Sequence, residues 1–224
     1  MKNLPTAYFE KQVDLIIDNK KWPVPTTPLA KAHLKKGKVR GHLRKRSEGL
    51  QDECTKPNTK RNRINPGGYV NVTAGLCGGK IILWEEIKGR WNGEKAAAMY
   101  KVIDKAVRKA RPHKAQYTVV EDNDPAGYNS GKAKKVKREL KLKVKKLPPY
   151  SPDLNPWDFS LWKDIDDRVT KRAPKGKESA KAFKKRLRLT ALRTSKAVVL
   201  KAVRSIKGKI AAVAAAKGGT IKND

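Results

Sequence analysis

The hydrophobic positions along the chain change period several times, and each change marks an element. Residues 12–18, "QVDLIID", are a short β-branched run ending in an acid, and Pro23 and Pro25 follow to stop it, which predicts a first strand. After Pro66-Gly67-Gly68, "YVNVTAGLC" alternates and "KIILWEEI" is apolar, with Gly78-Gly79 between them, the strongest hairpin signal in the chain. Residues 92–110 place Met99, Val102, Ile103 and Val107 at helical spacing. "AQYTVVEDND" then predicts a buried strand running into acids, "GKAKKVKRELK" a basic helix and "LKVKKL" a short strand. "NPWDFSLWKDIDDRVTKR" reads as a helix that Pro156 starts at its first turn.

Strand, hairpin, helix, strand, helix, strand, helix is the order of an α/β fold: a mixed five-stranded sheet flanked by helices. Beyond Pro174, two more helices are expected over about 178–192 and 196–216, the second capped by Thr194 or Ser195. Val199, Val203, Ile206, Ile210 and Val213 fall at four-three spacing there, which suits a core-facing stripe or a partner seam. The expected organisation is a lead over 1–11, a main domain over 12–174 and a basic helical tail over 175–224. Within the main domain, residues from about 19 to 68 are rich in Pro, Lys and Arg without sustained periodicity, and are expected to be a long functional loop.

Charge narrows the partner. The chain carries 54 Lys and Arg against 21 Asp and Glu, a formal net charge of +33, so a polyanion is expected to neutralise it. Residues 171–224 hold seventeen basic residues, and residues 132–146 hold nine. Nucleic acid is the expected partner, with phosphate contacts from Lys20, Lys21, Arg44, Lys45, Arg46, Arg61, Arg63, Lys134, Lys135, Lys137 and Arg138. No long apolar run or lipidation signal points to a membrane. Cys54 and Cys77 form no CxxC pair, and His33, His42 and His113 lack ligand spacing, which argues against a disulfide scaffold or a zinc site. The N-terminus lacks a signal-peptide core, so an intracellular protein is expected, nuclear in a eukaryote and in the nucleoid or cytoplasm otherwise.

Three acids share one trait. Asp18 is expected to end the first strand, Asp122 the strand "YTVV", and Asp158 lies in the first turn of the late helix. Leu161, Trp162, Ile165 and Val169 follow Asp158 at helical spacing, so it shares their sheet-facing stripe, while Asp167 points away. Three convergent carboxylates repel unless a divalent cation bridges them, and hard oxygen ligands favour Mg²⁺ or Mn²⁺. A pair of such ions about 4 Å apart activates a nucleophile on one side of a phosphodiester and stabilises the leaving oxygen on the other.

"VVEDNDPAGYNS" followed by "LPPYSPDLNPWDFSLW" resembles the second and third catalytic blocks of the mariner-type transposases of the DDE/D superfamily, and 35 residues separate Asp122 from Asp158, close to the family spacing. The resemblance covers roughly residues 10–170, "RWNGEKAAAMY" included. It implies a ribonuclease H-like fold, two metal ions held by Asp18, Asp122 and Asp158, and DNA cleavage followed by strand transfer from the freed 3′-hydroxyl. It assigns Asp18 in "IIDNKKW" as the first acid, with Asp14 the weaker candidate, and reads Asp153 and Asp124 as turn residues. The long basic loop falls where the family inserts a segment that reaches a partner subunit, so a homodimer through it is expected, with no small-molecule cofactor. Departures set a second expectation. The dozen residues before the first strand hold no counterpart of the family's helix-turn-helix modules, and Tyr128 stands where an imidazole is common. The alternative is therefore a truncated or domesticated relative that binds nucleic acid without catalysis.

Overall fold

The computed structural model describes residues 13–24, 68–122, 124–148, 151–176 and 178–216. Five strands, β1 (Leu15–Pro23), β2 (Tyr69–Cys77), β3 (Lys80–Ile87), β4 (Thr118–Glu121) and β5 (Lys143–Lys146), form one sheet in the order β3-β2-β1-β4-β5. The β1–β2 and β2–β3 pairs are antiparallel, and β1–β4 and β4–β5 are parallel. The β2–β3 hairpin turns through Gly78 and Gly79 at φ 55° and 85°, a conformation that residues with a Cβ resist. One expectation is corrected here. The first strand does not stop at Asp18 but runs on to Pro23, because β2 pairs with it throughout, Asp18 opposite Ala74 and Pro23 opposite Tyr69. Proline is tolerated at the strand's last position, where one missing donor costs little.

Helices cover both faces. On one lie α1 (Gly93–Ala110), capped by Asn92, and α2 (Gly131–Glu139), capped by Ser130. Met99, Tyr100, Ile103 and Val107 of α1 pack there with Leu15, Ile17, Leu83, Val119 and Tyr128. Val102 departs from the expected stripe and is 38% exposed. The other face is covered by a 3-10 turn (Pro152–Leu154), a π turn (Trp157–Leu161) and α3 (Trp162–Lys171), then by α4 (Ala180–Leu192) and α5 (Lys196–Ala215).

The last two helices belong to the same core as α3. Phe183, Leu187, Ala191, Val199, Ala202 and Ile206 are buried in one cluster with Ile16, Val72, Trp84, Trp157, Leu161 and Ile165. Polar ties fix the docking: Arg168 donates to the Thr190 carbonyl at 2.8 Å, and Arg188 to the Trp84 carbonyl at 2.7 Å. Among the described residues, no helix is long and apolar enough to cross a membrane.

Candidate active site

The site is built where β1 and β4 run side by side. Leu15 lies opposite Val119 and Ile16 opposite Val120, and the same register carried two residues further sets Asp18 level with Asp122. Ile16 and Val120 share one core cluster, so by strand alternation Asp18 and Asp122 emerge on that face as well.

Asp158 reaches the same face from the wide turn at Trp157–Leu161, a backbone form that recurs at functional sites. Two indoles anchor this turn to β1. Trp157 Nε1 donates to the Ile16 carbonyl at 3.0 Å, and Trp162 Nε1 donates to Asp18 Oδ2 at 2.7 Å. Asn155, itself buried, accepts from the Trp157 amide at 3.2 Å and donates through Nδ2 to Asp158 Oδ2 at 3.1 Å. Both indoles are also core residues: they lie 4.4 Å apart between ring centroids, and Trp162 packs edge-on against Trp22 and Trp84. Their donor roles, and that of Asn155, went unread in the sequence. The available signal was that a buried indole must find an acceptor, and Trp162 lies one helical turn from Asp158.

The three acids share a strong negative field. Burial pushes the Asp18 carboxyl up to about 7, and the charges of Asp158 and Asp122 add to the rise against the Trp162 indole and the Asn19 amide. Asp158 is also raised, first by the partial loss of water on its inner side and then by Asp122, while Asn155 and Lys20 pull the other way. Asp18 thus feels both other acids, and Asp158 feels Asp122. Among the described residues no three His, Cys, Asp or Glu side chains close up into a ready cation cage. The donor set, oxygen ligands of like charge from two strands and one turn, suits a hard divalent cation. Asp14 plays a different part, for it is buried, pairs with Lys114, and accepts from the Thr118 amide at 2.9 Å.

Beneath Asp122, on the opposite face, lies a buried polar cluster. Lys137 Nζ donates to Glu121 Oε1 at 2.6 Å and to the Tyr128 carbonyl at 2.8 Å, and the Tyr100 hydroxyl donates to Glu121 Oε2. Burial pushes Glu121 up to about 7 and Lys137 down, each opposed by the other's charge. The loop after Asp122 closes on Asp124, whose carboxylate accepts from the Ala126 and Gly127 amides at 3.0 and 2.9 Å and from Trp91 Nε1 at 2.7 Å. Gly127 is required there, because a Cβ would lie 1.9 Å from Trp91 Nε1. The Tyr128 hydroxyl is buried near Thr73 without a well-formed hydrogen bond, and Thr73 donates to Asn19 Oδ1 at 2.6 Å.

The expected phosphate contacts divide. Lys20 is half-buried beside the acids, and Lys21 is exposed with its ammonium 3.9 Å from the Tyr69 ring centroid. Lys134, Lys135 and Arg138 are exposed on α2. Lys137 is corrected: it is 7% exposed and its ammonium is held by Glu121 and Tyr128, so it does not face a nucleic acid. Arg44, Lys45, Arg46, Arg61 and Arg63, with the loop expected to reach a partner, lie outside the described residues.

Residues 38–181 match the DDE superfamily endonuclease family. The chain belongs to this family. Asp122 and Asp158 fall inside the matched segment of this family member, and Asp18 lies upstream of it. Solved structures agree on the fold. The catalytic domain of Mos1 mariner transposase superposes with a TM-score of 0.62 at 16% identity, covering 71% of this chain and 78% of that one. The same domain with Raltegravir and Mn gives 0.61 at 16% identity, covering 69% and 78%. The Mos1 paired-end complex with the left transposon end gives 0.69 at 17% identity over 96% of this chain, which spans 58% of the transposase chain in that complex. The five-stranded mixed sheet flanked by helices is thus the ribonuclease H-like fold of that catalytic domain. No curated protein matches the chain.

Proposed function

We propose that the chain is the catalytic core of a mariner-type DNA transposase. It cleaves phosphodiesters with divalent cations and joins the freed 3′-hydroxyl to target DNA. The carrying observation is the meeting of Asp18, Asp122 and Asp158 on one sheet face, where the charges of Asp158 and Asp122 raise the proton affinity of Asp18 and that of Asp122 raises Asp158, in a chain of the DDE endonuclease family. The solved complex of a structural relative with a transposon end supports DNA as the substrate.

In this reading Asp18, Asp122 and Asp158 hold Mg²⁺ or Mn²⁺, two ions as in other phosphodiester sites. Bound metal supplies activation of the attacking oxygen and neutralisation of charge on the leaving one. The protein's own share is placement. Trp162 orients the Asp18 carboxylate and Asn155 that of Asp158, so two ligands arrive with one oxygen already fixed. Lys20, whose charge reaches Asp158, is positioned to hold a phosphate against the acids. The exposed bases of α2, α4 and α5 supply sequence-independent affinity.

Nicking of supercoiled plasmid in Mg²⁺ or Mn²⁺, at matched DNA occupancy, tests the reading. Wild type nicks only with metal, and Asp122→Ala and Asp158→Ala each reduce the rate by about a hundred- to a thousandfold, the scale of losing a principal electrostatic element of a site. Tight DNA binding without nicking, unchanged by either substitution, overturns it and leaves a nucleic-acid-binding protein.

A further inference from the structure

We infer that Lys137 is a positioning residue for the carboxylate site: from beneath the sheet it ties the Glu121 side chain to the Tyr128 carbonyl, and so fixes the backbone span that carries Asp122. The inference rests on the proposed function for its purpose, but its geometry stands alone.

Glu121 and Asp122 are neighbours at the end of β4, and strand alternation sends their side chains to opposite faces. Whatever fixes Glu121 therefore fixes the peptide from which Asp122 projects. Both Glu121 oxygens are engaged, Oε1 by Lys137 at 2.6 Å and Oε2 by Tyr100. The second bond of the same ammonium, 2.8 Å to the Tyr128 carbonyl, holds the far end of the loop. The middle is pinned by Asp124, through the Ala126 and Gly127 amides and the Trp91 indole, and the Asn129 amide donates to the Asp124 carbonyl at 2.9 Å. Among the described residues, Glu121, Asp124 and the Tyr128 carbonyl are thus each tied.

An apolar side chain would fill the space under β4 at lower desolvation cost than a buried ion pair. An ammonium brings three donors, and here two reach acceptors on different segments while its charge lies 4.7 Å from the Tyr100 ring centroid. Joining two segments in one geometry is the property no apolar residue offers. Groups that hold the ligands of a metal site typically change metal affinity or activity about 10–100-fold when removed.

The test compares the full chain with Lys137→Met, which keeps the stem and loses the donors, and with Lys137→Arg. Three quantities are read: Mn²⁺ affinity by calorimetry without DNA, DNA affinity by fluorescence anisotropy without metal, and plasmid nicking. The expected result is that Lys137→Met weakens Mn²⁺ binding about tenfold or more, leaves DNA affinity within about twofold since one phosphate contact fewer would cost more, and slows nicking in step with metal affinity. Lys137→Arg, which keeps charge and donors, recovers most of the metal affinity. Should Lys137→Met fail to fold, Tyr100→Phe removes one bond to Glu121 while keeping the ring, and is expected to weaken Mn²⁺ binding in the same direction. Unchanged Mn²⁺ affinity in a folded Lys137→Met or Tyr100→Phe protein overturns the inference, as does lost DNA affinity with intact metal binding. A wild type that binds Mn²⁺ without nicking overturns the proposed function and leaves this comparison valid. A wild type that binds no Mn²⁺ overturns both.

Discussion

At the scale of single residues, the site places a carboxylate where it is uncomfortable. Asp18 is 7% exposed, sits level with Asp122 and faces Asp158, and its carboxyl is raised to about 7 by burial and by those charges. The consequence for stability has a definite sign. An acid that titrates at 3.8 when unfolded and at about 7 when folded stabilises the metal-free protein fully below pH 3.8, and that contribution is lost as pH rises through 7. Asp18→Asn removes the burden of ionisation. It is therefore expected to raise the melting temperature of the metal-free protein more at pH 8 than at pH 5, each tenfold change in proton affinity being worth about 1.4 kcal/mol, while abolishing nicking. Thermal melts of both proteins at the two pH values check this. A melting difference that is the same at pH 5 and pH 8 contradicts it.

At the scale of elements, α4 and α5 share the core that carries the candidate site. Phe183, Leu187, Val199 and Ile206 are buried against Trp84, Trp157, Leu161 and Ile165. Burial of such side chains is worth about 1.5–3 kcal/mol each, which together matches the whole stability of an ordinary domain, about 5–15 kcal/mol. A chain cut after Ala173 is expected to lose its cooperative thermal transition and bind a hydrophobic dye. A cut chain that melts cooperatively near the full-length temperature contradicts the shared core.

The sequence carried α2, α4 and α5 clearly, since Ser130, Ser179 and Ser195 at their starts each accept from an amide three residues on, and such local signals survive without knowledge of the fold. The hairpin at Gly78-Gly79 was legible for the same reason. What escaped depends on distant partners. β1 continues past Asp18 because β2 pairs with it, and no local pattern states that. The turn bearing Asp158 is wider than an α-helix, held by Asn155 and by indole bonds to β1. Lys137 reads in the sequence as one more phosphate-facing base of a basic helix. Only its acceptors, on β4 and in the loop beyond, turn it inward.

At the scale of the whole molecule, net charge and site charge have opposite signs. A chain of +33 presents a positive surface suited to a polyanion, while three carboxylates from β1, the end of β4 and the Trp157–Leu161 turn make one negative spot within it. Under the proposed function these three, far apart in sequence, act as a single divalent-cation site. Calorimetric titration of Mn²⁺ into the full chain and into Asp18→Asn, Asp122→Asn and Asp158→Asn decides whether they do. Saturable binding by wild type is expected, with a loss of more than about tenfold in each variant, since even groups that merely hold ligands cost that much. Equal Mn²⁺ affinity in wild type and any one of the three would refute the shared site.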